Sequence, residues 1–109
     1  MKLDLKQHLK EMISAPGLSG YEAPIREIIR TAWQPLADEI RVNNLGSLQA
    51  IQRGEAPEPR PGVMIAAHMD AIGLMVTGID EGFLRFMQVG GVDPRILPGQ
   101  MVTVHATNA

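Results

Sequence analysis

Cysteine is absent from the 109 residues. That excludes disulfides and thiolate metal ligands, so any metal would have to use His, Asp and Glu. A chain with no call for disulfides suits the cytoplasm, which is the expected localisation. Charge of one sign is also lacking: 10 Lys and Arg face 12 Asp and Glu, a net −2. Nothing here offers a basic surface to phosphates or anionic membranes. Aromatics are scarce at 4%, and no basic patch is interleaved with them, so no nucleic-acid partner is expected. No apolar run approaches the roughly 20 residues that span a bilayer, so no membrane partner is expected either. The opening Met1–His8 is amphipathic and charged, unlike a signal peptide. Gly-x-Ser-x-Gly, a phosphate-binding loop and His-Glu-x-x-His are all missing. So are internal repeats and low-complexity segments.

What remains is 45% hydrophobic and 20% charged, the balance of one small globular domain. Residues 4–15 read as a helix: Leu5, Leu9, Met12 and Ile13 recur at helical spacing, and Asp4 can cap the start. Pro16-Gly17 ends it. Ser19-Gly20-Tyr21-Glu22 fits a capping box, in which the serine hydroxyl and the glutamate carboxylate each take a backbone N–H at the helix start. The helix that follows runs to about Leu36, with Pro24 in its first turn and an apolar stripe of Ile25, Ile28, Ile29 and Ala32 beside Trp33. After residue 38 the period changes to two. Residues 39–43 and 47–53 alternate around Asn44-Leu45-Gly46 and predict a hairpin. Gly54 to Gly62 carries Pro57, Pro59 and Pro61 and reads as a loop. Residues 63–67 are apolar throughout, as a strand covered on both faces would be.

The last third changes character. Residues 72–79, 83–89 and 101–105 are strand candidates, with Asp80-Glu81-Gly82 as a tight turn between the first two. The glycines from 73 onward punctuate these strands, and the seven methionines fill gaps. The class is α/β, yet an α/β layer needs helices on both faces of its sheet, and only two helices are in hand. With the chain stopping at Thr107-Asn108-Ala109, soon after a strand, the sequence reads as a piece of a larger protein.

The apolar run 63–67 leads into His68-Met69-Asp70. In extended chain, residues i and i+2 point to the same side, so His68 and Asp70 can face one site. Three readings are open. His68 is a core histidine satisfied by backbone while Asp70 caps a turn; or His68 binds a divalent metal while Asp70 accepts from the other ring nitrogen; or both are direct ligands. One His and one Asp fall short of the roughly four ligands zinc takes. The other acidic and imidazole groups read as ordinary. His8 lies on the polar, solvated side of the first helix and His105 on a terminal strand, while Asp80 and Glu81 sit in a turn and Asp93 precedes Pro94.

Ala67-His68-Met69-Asp70-Ala71-Ile72-Gly73-Leu74-Met75-Val76, then Gly82-Phe83-Leu84-Arg85-Phe86, then the run from Gly90 to Gln100, together resemble the M42 family of metalloaminopeptidases. Pro16 to Glu22 resembles that family's opening and Asn43 to Leu48 its hairpin. The family comprises glutamyl, lysyl and deblocking aminopeptidases that assemble into tetrahedral shells; some members have been called endoglucanases. The resemblance implies the N-terminal part of a phosphorylase/hydrolase-like α/β/α zinc-peptidase domain over residues 1–72. A β-rich dimerisation insertion would begin over residues 73–109. It implies His68 as a metal ligand, Asp70 as the catalytic-site carboxylate that orients it, and two divalent ions, zinc or cobalt, in the parent enzyme. Peptides are the implied substrates, and the implied state is a homo-oligomer, a dimer building block of a larger shell. The family's bridging Asp, Glu-Glu pair, further acidic ligand and last His have no counterparts here. The isolated chain is therefore expected to be inactive, with no metal bound. The chain departs from the family at Ala71, where Glu is usual, at Asn43, where Asp is usual, and at Ser47, where Asn is usual. The alternative is a non-catalytic assembly or interaction module with exposed β edges. An endoglucanase would need paired catalytic carboxylates, which the sequence does not offer.

Overall fold

The computed structural model describes residues 4–106. The readings of Met1–Leu3 and of the Thr107–Ala109 end lie outside the described residues. Helix α1 spans Leu5–Ser14, and Asp4 caps it: its Oδ1 accepts from the backbone N–H of Lys6 at 3.0 Å and Gln7 at 3.1 Å. Two of the helix's orphan donors are thereby satisfied. Helix α2 spans Ala23–Trp33, with Pro24 in its first turn. It tightens into a 3-10 turn at Gln34–Leu36. Pro35 lacks the N–H that would continue the α-helical hydrogen bonds, and the α-helix stops three residues short of the expected Leu36.

Strands β1 (Glu39–Val42) and β2 (Leu48–Ile51) pair antiparallel, Glu39 opposite Ile51 and Val42 opposite Leu48. Asn43 organises their turn, its Oδ1 accepting from Leu45 N at 3.0 Å and Ser47 N at 2.9 Å. Arg26 of α2 donates to Gly46 O at 3.1 Å, which ties the helix to this hairpin. Strands β3 (Gly73–Asp80) and β4 (Phe83–Val89) form a second antiparallel hairpin, with a bulge between Val76 and Gly78. The two-residue connection has φ +48° at Glu81 and +84° at Gly82. Positive φ at both central residues matches the twist of the flanking strands. A 3-10 turn at Pro94–Ile96 follows, capped by Asp93.

Four expectations are overturned. The run 63–67 forms no strand and is uncovered: Val63 is 92%, Met64 90% and Ile65 95% exposed. A strand's hydrogen bonds come from its neighbours, and among the described residues no segment lies alongside this run. Residues 101–105 also pair with no other described segment. On α1, Leu5, Leu9 and Ile13 are exposed while His8 is half-buried, because no described segment covers the apolar stripe. The capping box does not form. Glu22 is the N-cap of α2 without a side-chain cap, its Oε1 accepts instead from Gly20 N at 2.7 Å, and the Ser19 hydroxyl goes elsewhere.

The fold is thus mixed helix and strand, with two separate two-stranded sheets. Ile25, 5% exposed, is the one large apolar side chain buried among the described residues. The molecule measures 65 × 33 × 29 Å with a radius of gyration of 18.3 Å, against about 13 Å for a compact domain of this length. Its accessible surface is 9611 Å², where a compact monomer of this mass exposes roughly 6,000 Å².

Candidate functional site

Two segments distant in sequence meet at the site. Ala71 N donates to Gly17 O at 2.7 Å, and Leu18 and Ala71 form a parallel bridge. Gly17 leaves room for Ile25 behind this junction. A Cβ there would stand 3.0 Å from Ile25 Cγ2 and 3.7 Å from Met69 O. The loop then turns, Tyr21 N donating to Leu18 O at 2.7 Å, and Ser19 faces Asp70.

His68 and Asp70 meet as the i, i+2 spacing predicts. His68 Nδ1 lies 3.0 Å from Asp70 O and 3.1 Å from Asp70 Oδ1. A backbone carbonyl only accepts, so the hydrogen bond to Asp70 O requires the proton on Nδ1. In the neutral ring, Nε2 then keeps its lone pair. The His68 side chain is 86% exposed, so no described residue buries it. Asp70 is half-buried, and its Oδ2 accepts from the Ser19 hydroxyl. That hydroxyl above all holds the Asp70 carboxyl below the usual carboxylate range; partial desolvation opposes it, and the His68 imidazole adds to the lowering. Asp70 is therefore an anion at neutral pH, oriented by donors on both oxygens.

The chemistry of this pair fits one metal ligand. An outward lone pair on Nε2 with the other ring nitrogen tied to a carboxylate is the usual arrangement of a ligating histidine. It does not make a whole centre. Among the described residues no group of three or more His, Asp and Glu could hold an ion. Among the remaining candidates, His8 is half-buried rather than solvated, and Asp80 and Asp93 serve turns. Asp80 accepts from Arg85 across the β3–β4 turn, and Asp93 Oδ1 accepts from Arg95 N at 3.0 Å to cap the following turn. His105 is exposed. Ser19 is the site residue that sequence reasoning missed. Its partner is 51 positions away, and the local Ser-Gly-Tyr-Glu pattern carries a competing capping signal.

Comparison with known proteins completes the site's context. The family model for the M42 glutamyl aminopeptidases matches residues 46–109. A lysyl aminopeptidase of Pyrococcus furiosus is 44% identical over 96 residues, which cover 86% of this chain and 27% of that protein. A TET aminopeptidase from a marine sediment archaeon of the Thaumarchaeota superposes with a TM-score of 0.80 at 35% identity, over 87% of this chain and 26% of that one. An endoglucanase from Thermotoga maritima superposes with a TM-score of 0.76 at 41% identity, over 84% of this chain and 29% of that one. The chain spans 26–29% of the length of these three relatives.

Proposed function

The chain belongs to the M42 aminopeptidase family, and from that premise we propose that it contributes one corner of a metal-dependent active site that removes N-terminal residues from peptides. His68 is the metal ligand in this reading and Asp70 the carboxylate that orients it. The observation that carries the reading is His68 Nδ1 at 3.0 Å from Asp70 O and 3.1 Å from Asp70 Oδ1, on a ring that is 86% exposed. Asp70 fixes the tautomer and raises the basicity of the ligating nitrogen. A divalent pair, zinc or cobalt, supplies when bound the activation of water toward a peptide carbonyl. The other donors and the general base come from outside the described residues, so these residues alone do not catalyse.

Residues 1–72 form the first part of a phosphorylase/hydrolase-like α/β/α domain. Residues 73–109 open a β-rich dimerisation insertion in a homo-oligomeric, cytoplasmic enzyme. The uncovered apolar run at Val63–Ile65 and the surplus of accessible surface support a body that packs against more protein. The same exposure favours a second reading, a non-catalytic assembly module.

A chimera separates the two. Residues 1–109 replace the corresponding quarter of the Pyrococcus lysyl aminopeptidase, and hydrolysis of an amino-acid p-nitroanilide is assayed with Zn²⁺ or Co²⁺. Activity that His68→Ala reduces by at least 100-fold is expected. A folded chimera without activity, or one indifferent to His68→Ala, counts against the catalytic reading. Turnover by the isolated 109 residues would show that they hold a complete site after all.

A further inference from the structure

We infer that Ser19 is a positioning residue for His68, acting through Asp70; this rests on the reading of His68 as a ligand. Three groups stand in line. The Ser19 hydroxyl donates to Asp70 Oδ2, and Asp70 Oδ1 faces His68 Nδ1 at 3.1 Å. A carboxylate's terminal torsion is broad and nearly two-fold, so a half-exposed aspartate held at one oxygen still swings. A donor on Oδ2 fixes the carboxylate plane and with it the direction in which Oδ1 accepts.

The hydroxyl has no competing local task. Helix α2 begins at Ala23 with Glu22 as its cap, and Ser19 makes no cap hydrogen bond to it. Its place beside Asp70 is instead set by the junction of Gly17 O with Ala71 N at 2.7 Å and the bridge of Leu18 with Ala71. The serine is thus delivered by a backbone contact between the first loop and the residue that follows Asp70. The chain reads as hydroxyl to carboxylate to imidazole, and its output is a proton kept on Nδ1 and a lone pair kept on Nε2.

The test is a spectroscopic reading of the ring proton. Long-range ¹H–¹⁵N correlation spectra of the full 109-residue chain, at a pH where imidazole is neutral, report which ring nitrogen of each histidine is protonated. His105, which is exposed, serves as the internal reference for an untethered ring. The wild-type chain is expected to hold the proton of His68 on Nδ1. Ser19→Ala is expected to shift it part of the way toward the mixture seen for His105, because Asp70 O at 3.0 Å still accepts from Nδ1, while the amide signals of Leu18 and Ala71 keep their positions. Ser19→Thr, which keeps the hydroxyl, restores the wild-type signature. If the alanine variant loses the Leu18–Ala71 junction, Ser19→Cys, near in shape and a weak donor, takes its place with a smaller shift expected. A Ser19→Ala or Ser19→Cys chain with the wild-type tautomer overturns the role of Ser19 and leaves the His68–Asp70 pair standing. A wild-type chain that lacks the Nδ1 proton overturns the pair and the serine together.

Discussion

Ile25 carries more of this fold than any other large apolar side chain, because among the described residues it is the one that is buried. It sits against Gly17, where a Cβ would come within 3.0 Å of Ile25 Cγ2, and the Gly17 O–Ala71 N junction forms beside it. Truncation to alanine would remove buried methyl and methylene groups from the wall behind the site. Ile25→Ala is expected to cost about 2 kcal/mol, the low end for core truncations because the surrounding wall is open enough to relax. Urea unfolding followed at the Leu18 and Ala71 amides measures it; a cost below about 0.5 kcal/mol would show that the site does not lean on Ile25. At this scale the sequence was partly readable. The His68–Asp70 encounter follows from two-residue spacing in extended chain. Ser19 was not readable, because its partner is set by a loop contact across 51 positions.

Elements whose hydrogen bonds close within a few residues formed where their spacing placed them. Helix α1 starts at its Asp4 cap, and both hairpins turn at the glycine-containing segments expected to turn. The β3–β4 connection depends on backbone that L side chains resist, with Gly82 at φ +84°. Gly82→Val places a β-branched residue there and is expected to cost about 1–2 kcal/mol. Amide exchange in β3 and β4 should accelerate by roughly 5- to 30-fold, with α1 and α2 unchanged. Unaltered exchange in Met75 and Val76 would mean that the turn does not limit the hairpin. The opposite case is the run 63–67. Its composition is that of a covered strand, yet it lies open, since no described residues supply the two neighbours such a strand needs.

The molecule as a whole exposes far more apolar surface than a compact domain of its mass. Leu5, Leu9 and Ile13 on α1, Val63–Ile65, and Met101, Val102 and Val104 all face outward. Surfaces of this kind associate, through strand edges as well as side chains. The 109-residue chain is expected to self-associate with concentration in sedimentation equilibrium. Ile65→Glu should shift the distribution toward monomer by placing a charge on an uncovered run. A wild-type chain monomeric at all accessible concentrations would mean that the exposed run finds cover within the chain itself.

The amino-acid sequence by itself determined the Asp4 cap, the helix and hairpin positions, the His-x-Asp encounter and the linked motifs of the M42 family. Each of these rests on residues a few positions apart or on ordered motifs, and such relations are written in spacing. Only the tertiary structure decided that Ser19 serves Asp70 rather than α2 and that residues 63–67 and 101–105 lie unpaired. It also brought the Nδ1 of His68 within hydrogen-bonding distance of Asp70 O and Oδ1. These outcomes depend on which distant backbone comes within hydrogen-bonding reach, here Gly17 against Ala71 and nothing against Ile65, and local spacing does not encode that choice.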